Sequence, residues 1–120
     1  MKFAGWYGTI VGLLMCGQWS VFLATGQVPE LRTEPFRIYF HLAAEFATAA
    51  SLLVGAIALL KKRTWAAPVY LFAVGMLFYS VIASPGYFAQ QGQWAFVAMF
   101  AVLFALAVGS VATVLRARRA

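Results

Sequence analysis

Four apolar runs, residues 3–25, 36–60, 65–84 and 93–115, constrain this chain more than anything else in it. Each holds roughly 18 to 25 residues, enough for a helix to cross a hydrocarbon core about 30 Å thick. Only helices and closed barrels satisfy their backbone in lipid, and uninterrupted runs of this length are helices. Composition excludes the soluble alternative. Of 120 residues, 64% are hydrophobic and 10% charged, and so short a chain has too little interior to hide that surface. The reading is a single all-α transmembrane domain over 1–120. The first run is too long for the apolar core of a secretory signal, and Trp6 and Tyr7 at its head suit a membrane interface. It is therefore expected to be the first spanning helix.

The connections are short: "GQVPELRTEP" at 26–35, "KKRT" at 61–64 and "PGYFAQQG" at 85–92. Short loops make successive helices antiparallel neighbours, which gives an up-down four-helix bundle. Pro35 suits the first position of a helix, where its missing N–H costs nothing. Ser84-Pro85-Gly86 predicts the end of the third helix.

The formal charge of +6 raises the question of nucleic acid. Its distribution answers it. Lys2, Lys61, Lys62, Arg63, Arg116, Arg118 and Arg119 all fall at one end of the predicted bundle. Arg32 and Arg37 fall at the other, offset by Glu30 and Glu34. Seven against two is a topology signal, which predicts both termini and "KKRT" in the cytoplasm. No nucleic-acid partner is expected. The partner is the lipid bilayer, with anionic lipid near the basic end. The expected location is a prokaryotic inner membrane.

"RIYFHLAAEF", residues 37–46, opens the second run with three ionisable groups. On a helix Arg37, His41, Glu45 and Thr48 fall within a sector of roughly 80°. Glu45 lies about two and a half turns into the helix, where an isolated carboxylate is neutral, paired or functional. Gln18 in the first helix and Tyr79 and Ser80 in the third lie at comparable or slightly shallower depths, counted from the outer ends. An outward-facing polar pocket is expected, able to hold a proton, a cation, or the head of a lipid or quinone. The structural alternative is that Glu45 and His41 glue helices together. His41 and Glu45 also have the spacing of two metal ligands, but no further ligand stands near them, and neither a metal nor a haem between two copies is expected. The lone Cys16 reads as a small packing residue. Without a Ser/His/Asp set, a phosphate loop or a CxxC, independent catalysis is not expected. A His–Glu pair could still shuttle a proton for an adjoining redox centre.

Small residues predict the packing faces. Gly8 and Gly12 in "GTIVG" form a GxxxG, followed at the same spacing by Cys16 and Ser20. The second helix has Ala44, Ala47, Ser51, Gly55 and Ala58, and the fourth Ala98, Ala101, Ala105, Gly109 and Ala112. Leu42, Phe46, Leu53, Ile57 and Leu60 are expected to face lipid. These bands serve packing inside one bundle or association into a homo-oligomer.

The span "HLAAEFATAASLLVGAIALLKKRTWAAPVYLFAVGMLFYS", residues 41–80, resembles DoxX-like small membrane proteins. Glu45, Gly55, "KKR" and Gly75 match the acid, glycine, basic turn and second glycine common in that group. The resemblance covers about a third of the chain. It implies a four-helix membrane protein with an accessory role, in some cases beside redox or quinone-linked complexes. No cofactor is implied for the chain itself beyond quinone or lipid contact. Small multidrug transporters share the length and helix count but carry their acid in the first helix, and this chain has none there. Two functions follow as expectations: an accessory or interaction subunit, or a homo-oligomeric proton- or cation-coupled carrier using Glu45.

Overall fold

The computed structural model describes residues 2–26 and 28–119. Gln27, in the first predicted connection, lies outside the described residues, as do the side chains of Glu30, Arg118 and Arg119. Five helices follow in order: α1 (Lys2–Ala24), the single turn α2 (Glu30–Thr33), α3 (Pro35–Leu60), α4 (Ala66–Gln90) and α5 (Trp94–Arg119). The four long ones are each apolar and long enough to cross a membrane. α1 packs on α3, α3 on α4 and α4 on α5, while α1 meets α5 more lightly. That last side is tied by the Tyr7 hydroxyl, which donates to the Leu103 carbonyl at 2.7 Å.

The helix ends follow local chemistry. Pro35 opens α3 as expected. At the other end of α3, Arg63 N–H reaches the Ala58 carbonyl at 3.0 Å and Lys62 N–H the Leu59 carbonyl at 3.1 Å. This pair of bonds is a Schellman cap, with Lys62 left-handed at φ 57° where glycine is usual. The connection 26–35 is not bare loop. Val28 is buried with Ile38 and Leu42, under cover of Trp19, Phe22 and Leu31.

The predicted stop at Ser84-Pro85-Gly86 is wrong. α4 runs through Pro85 to Gln90. Proline removes one N–H from the ladder, but the turns beyond it are held from outside. Phe88 stacks on Phe96 at 4.7 Å and on Phe100 at 5.8 Å, both on α5. The stop is instead Gly92, at φ 73°. Gly92 N–H bonds the Ala89 carbonyl, and Gln93 N–H bonds that of Phe88, at 3.0 and 2.9 Å.

The main core gathers Tyr7, Leu52, Tyr70, Val74, Leu77 and Val114 with small residues between them. Glycines set the closest approaches. A Cβ added at Gly8 would stand 2.8 Å from Ala56 Cβ, and one at Gly12 2.8 Å from Leu53 Cγ. Gly55 is tighter in kind, since its Cβ would meet Tyr70 backbone, Cα at 2.8 Å and N at 2.9 Å. Gly5 packs on the Leu60 side chain and escaped the sequence reading. Tyr70 is wholly buried and its hydroxyl has no hydrogen-bond partner among the described residues. Ser110 lies beside it, but turns its own proton to the Ala107 carbonyl at 2.8 Å.

Three expected faces are corrected. Leu42, expected in lipid, is buried against Val28. Ala44 and Ala47 are exposed. On α5 the band Ala98, Ala101 and Ala105 points outward, and a Cβ at Gly109 would meet nothing within 4 Å. The buried face of α5 is Phe100, Ala107, Ser110 and Val114. On this face Phe100 stacks on the Phe88 ring of α4, while Ala107 and Ser110 are wholly buried.

Candidate functional site

Among the described residues Glu45 is the only buried carboxylate, with its side chain 9% exposed. It sits on α3 and is met by Ser80 on α4. The Ser80 hydroxyl donates to both carboxylate oxygens, at 3.0 and 3.1 Å. Backbone register brings them together. Gly55 lets α3 pack directly on the Tyr70 backbone of α4. Ten residues back along α3 is Glu45, and ten forward along antiparallel α4 is Ser80. At 1.5 Å per residue each step is about 15 Å, so the glycine contact aligns the polar pair.

One hydroxyl hydrogen cannot saturate a carboxylate, which accepts at about four lone-pair positions. The next group is His41, one turn back on α3, with Nε2 3.8 Å from Glu45 Oε1. That distance is beyond a hydrogen bond, and allows Coulombic attraction when the imidazole is protonated. The His41 side chain is 43% exposed. Its inner side meets the Trp19 ring of α1 edge-on, centroids 5.5 Å apart. The site is therefore a buried acid held by one helix pair, with an imidazole between it and the surface.

Comparison with known proteins matches the chain to a family. A family model described as a domain of unknown function, DUF8058, covers residues 1–120. The chain belongs to the DUF8058 family. No curated protein and no solved structure matches it.

In this DUF8058 chain the expected stripe is divided. Arg37 turns outward and pairs with Glu34 at 3.2 Å, both side chains well exposed. It joins no pocket with Glu45. Thr48 is buried beside the site, but its hydroxyl donates to the Ala44 carbonyl at 2.8 Å, the usual back-bond of a threonine inside a helix. Tyr79 is 76% exposed, since its neighbour Ser80 occupies the inward position. Gln18 is half-buried on α1 and gives Glu45 no hydrogen bond among the described residues. Glu45, His41 and Ser80 are thus brought together, and Arg37 and Tyr79 are not. Trp19 is the contributor that sequence reading missed. Its signal was its place beside Gln18, at the depth already assigned to the polar cluster.

No group of three His, Cys, Asp or Glu side chains among the described residues is placed to hold a metal ion. Cys16 is a free, half-buried thiol on α1. What the arrangement can do is hold, accept or release a proton, or offer a buried negative charge to a cation.

Proposed function

We propose that this DUF8058 chain is an accessory subunit of a larger membrane assembly, beside a redox or quinone-linked partner, in which His41 and Glu45 pass a proton. The observation that carries this reading is a buried carboxylate with, among the described residues, a single hydroxyl donor and a half-exposed imidazole 3.8 Å away. An intramembrane acid left short of donors is costly and is kept where it has work. In the relay, protonated His41 gives its proton to the Glu45 carboxylate after a small side-chain rotation. Ser80 keeps the carboxylate on the α4 side. The DoxX-like features at 41–80 support the accessory role. Independent catalytic activity forms no part of it.

A second reading, a homo-oligomeric proton- or cation-coupled carrier around Glu45, has its own support. α5 presents Ala98, Ala101 and Ala105 outward, and small outward residues let a second helix approach closely. Solubilisation in mild detergent, followed by mass measurement of the intact particle, separates the two. A stable complex with a different membrane protein is expected. Copies of this chain alone would favour the carrier, and an isolated monomer from native membranes would overturn both.

The proposed orientation puts both termini and Lys61–Arg63 in the cytoplasm of a prokaryotic inner membrane, supported by the seven-to-two bias of basic residues. In a Cys16→Ser background, cysteines at Thr33 and Gln91 should react with an impermeant thiol reagent in intact cells. Protection of both would reverse the orientation.

A further inference from the structure

At the basic end of the bundle an open groove of about 450 Å³ runs up the outer face of α3, a size ordinary for a small-molecule site. Its floor is apolar, with Leu53, Val54 and Ile57 along one helix face. Its head is not. Lys61, Arg63 and Trp65 close that end, and Lys62 is absent from the lining. The turn explains the selection. Lys62 is left-handed at φ 57° and reverses the chain, so the residues on either side of it return to the groove while Lys62 points away.

Among the described residues no carboxylate pairs with these cations, Lys61 and Arg63. The chain has only three acids, Glu30, Glu34 and Glu45, and the nearest along α3, Glu45, is sixteen residues from Lys61, about 24 Å along the helix. α4 adds to the field. It begins at Ala66, after Trp65, with no side-chain cap and no acid in its first turn, so no carboxylate of its own offsets the positive end of its dipole.

We infer that this groove is a binding site for one anionic phospholipid. The phosphate sits between Lys61 and Arg63, where a guanidinium binds two phosphate oxygens at once. One acyl chain lies along Leu53, Val54 and Ile57, and Trp65 stands at the level of the headgroup. Both halves are needed. Cations alone would take any phosphate, and an apolar helix face alone would take any lipid. The charge and the groove together select a lipid that carries both.

The test uses the full chain in mixed micelles with brominated phosphatidylglycerol or brominated phosphatidylcholine. Quenching of Trp65 is read as the difference between the parent protein and a Trp65→Phe variant. At low salt each cation near the headgroup favours an anionic lipid about five-fold. Phosphatidylglycerol should therefore quench at a lipid fraction on the order of thirty-fold lower than phosphatidylcholine. Lys61→Gln with Arg63→Gln should erase that preference, whereas Lys2→Gln at the same end should leave it. These side chains are exposed, so the variants keep the fold. Val54→Phe, which fills the groove, should weaken quenching by phosphatidylglycerol with both cations in place. Equal quenching by the two lipids, or a preference that survives the double variant, would overturn the site. So would displacement of the lipid by glycerol phosphate at matched concentration, because a bare phosphate would then suffice.

Discussion

Gly55→Ala should be the most damaging single methyl this chain can receive. The added Cβ would stand 2.8 Å from Tyr70 Cα and 2.9 Å from its N. Backbone cannot swing aside as the end of a side chain can, so α3 and α4 must separate. Overpacking of this kind costs about 1–3 kcal/mol, and the upper end is expected where the obstacle is main chain. The damage should also spread. Gly55–Tyr70 sets the register that delivers Ser80 to Glu45, so helix separation should lengthen the 3.0 Å hydrogen bond ten residues away. Gly12→Leu, which drives a side chain into Leu53 Cγ and the Ala49 carbonyl, should abolish the folded bundle. Gly109→Ala is the control. Its Cβ meets nothing within 4 Å, and removing a helical glycine stabilises by roughly 0.5–1 kcal/mol. Thermal unfolding in detergent measures all three. A Gly55→Ala protein as stable as Gly109→Ala would show that the α3–α4 contact is looser than described.

Glu45→Gln should leave the fold nearly intact and remove the proposed proton relay. An amide has the size of a carboxyl group and still accepts the Ser80 hydroxyl, so stability should change by less than about 1 kcal/mol. The amide does not titrate. Loss of a positioned acid or base typically costs on the order of 100-fold or more in rate, and the partner assembly should lose activity on that scale. Glu45→Leu should instead disturb the fold, because the buried Ser80 hydroxyl loses its acceptor, at a cost of about 1–3 kcal/mol. A double-mutant cycle of Glu45→Leu with Ser80→Ala should show coupling, since the second change removes the orphaned hydroxyl. Full activity in the Glu45→Gln assembly across the pH range would leave Glu45 as a structural bond between α3 and α4, and the relay would fall.

Much of the site was legible because depth in a spanning helix can be counted. Glu45 lies about ten residues into α3, and Ser80, which the stop expected at 84 made shallower, lies as deep because α4 runs on to Gln90. His41 follows one turn from Glu45 by period alone. The errors share a cause. Arg37 lies on the same stripe as Glu45, yet at the helix end a long side chain reaches water and the nearby Glu34. Tyr79 and Ser80 are adjacent, and only the rotation of α4 about its axis decides which faces α3. Thr48 had the right face and depth, but its hydroxyl is already used by its own helix.

The four long helices, their order and their antiparallel neighbours were legible in the sequence alone, because long apolar runs joined by short loops favour an up-down bundle. The basic turn was legible in the same way. Tertiary structure decided the faces. Hydrophobicity cannot orient a helix that is apolar all round, so which side of α5 was buried waited on the fit of Phe100 to Phe88. It also decided where α4 ends, since Pro85 costs one hydrogen bond and the stacked rings beyond it hold the helix to Gln90. The pairing of Glu45 with Ser80 waited on a glycine fifteen ångströms away, about ten residues of helical rise, because register is a property of two helices in contact and neither carries it alone.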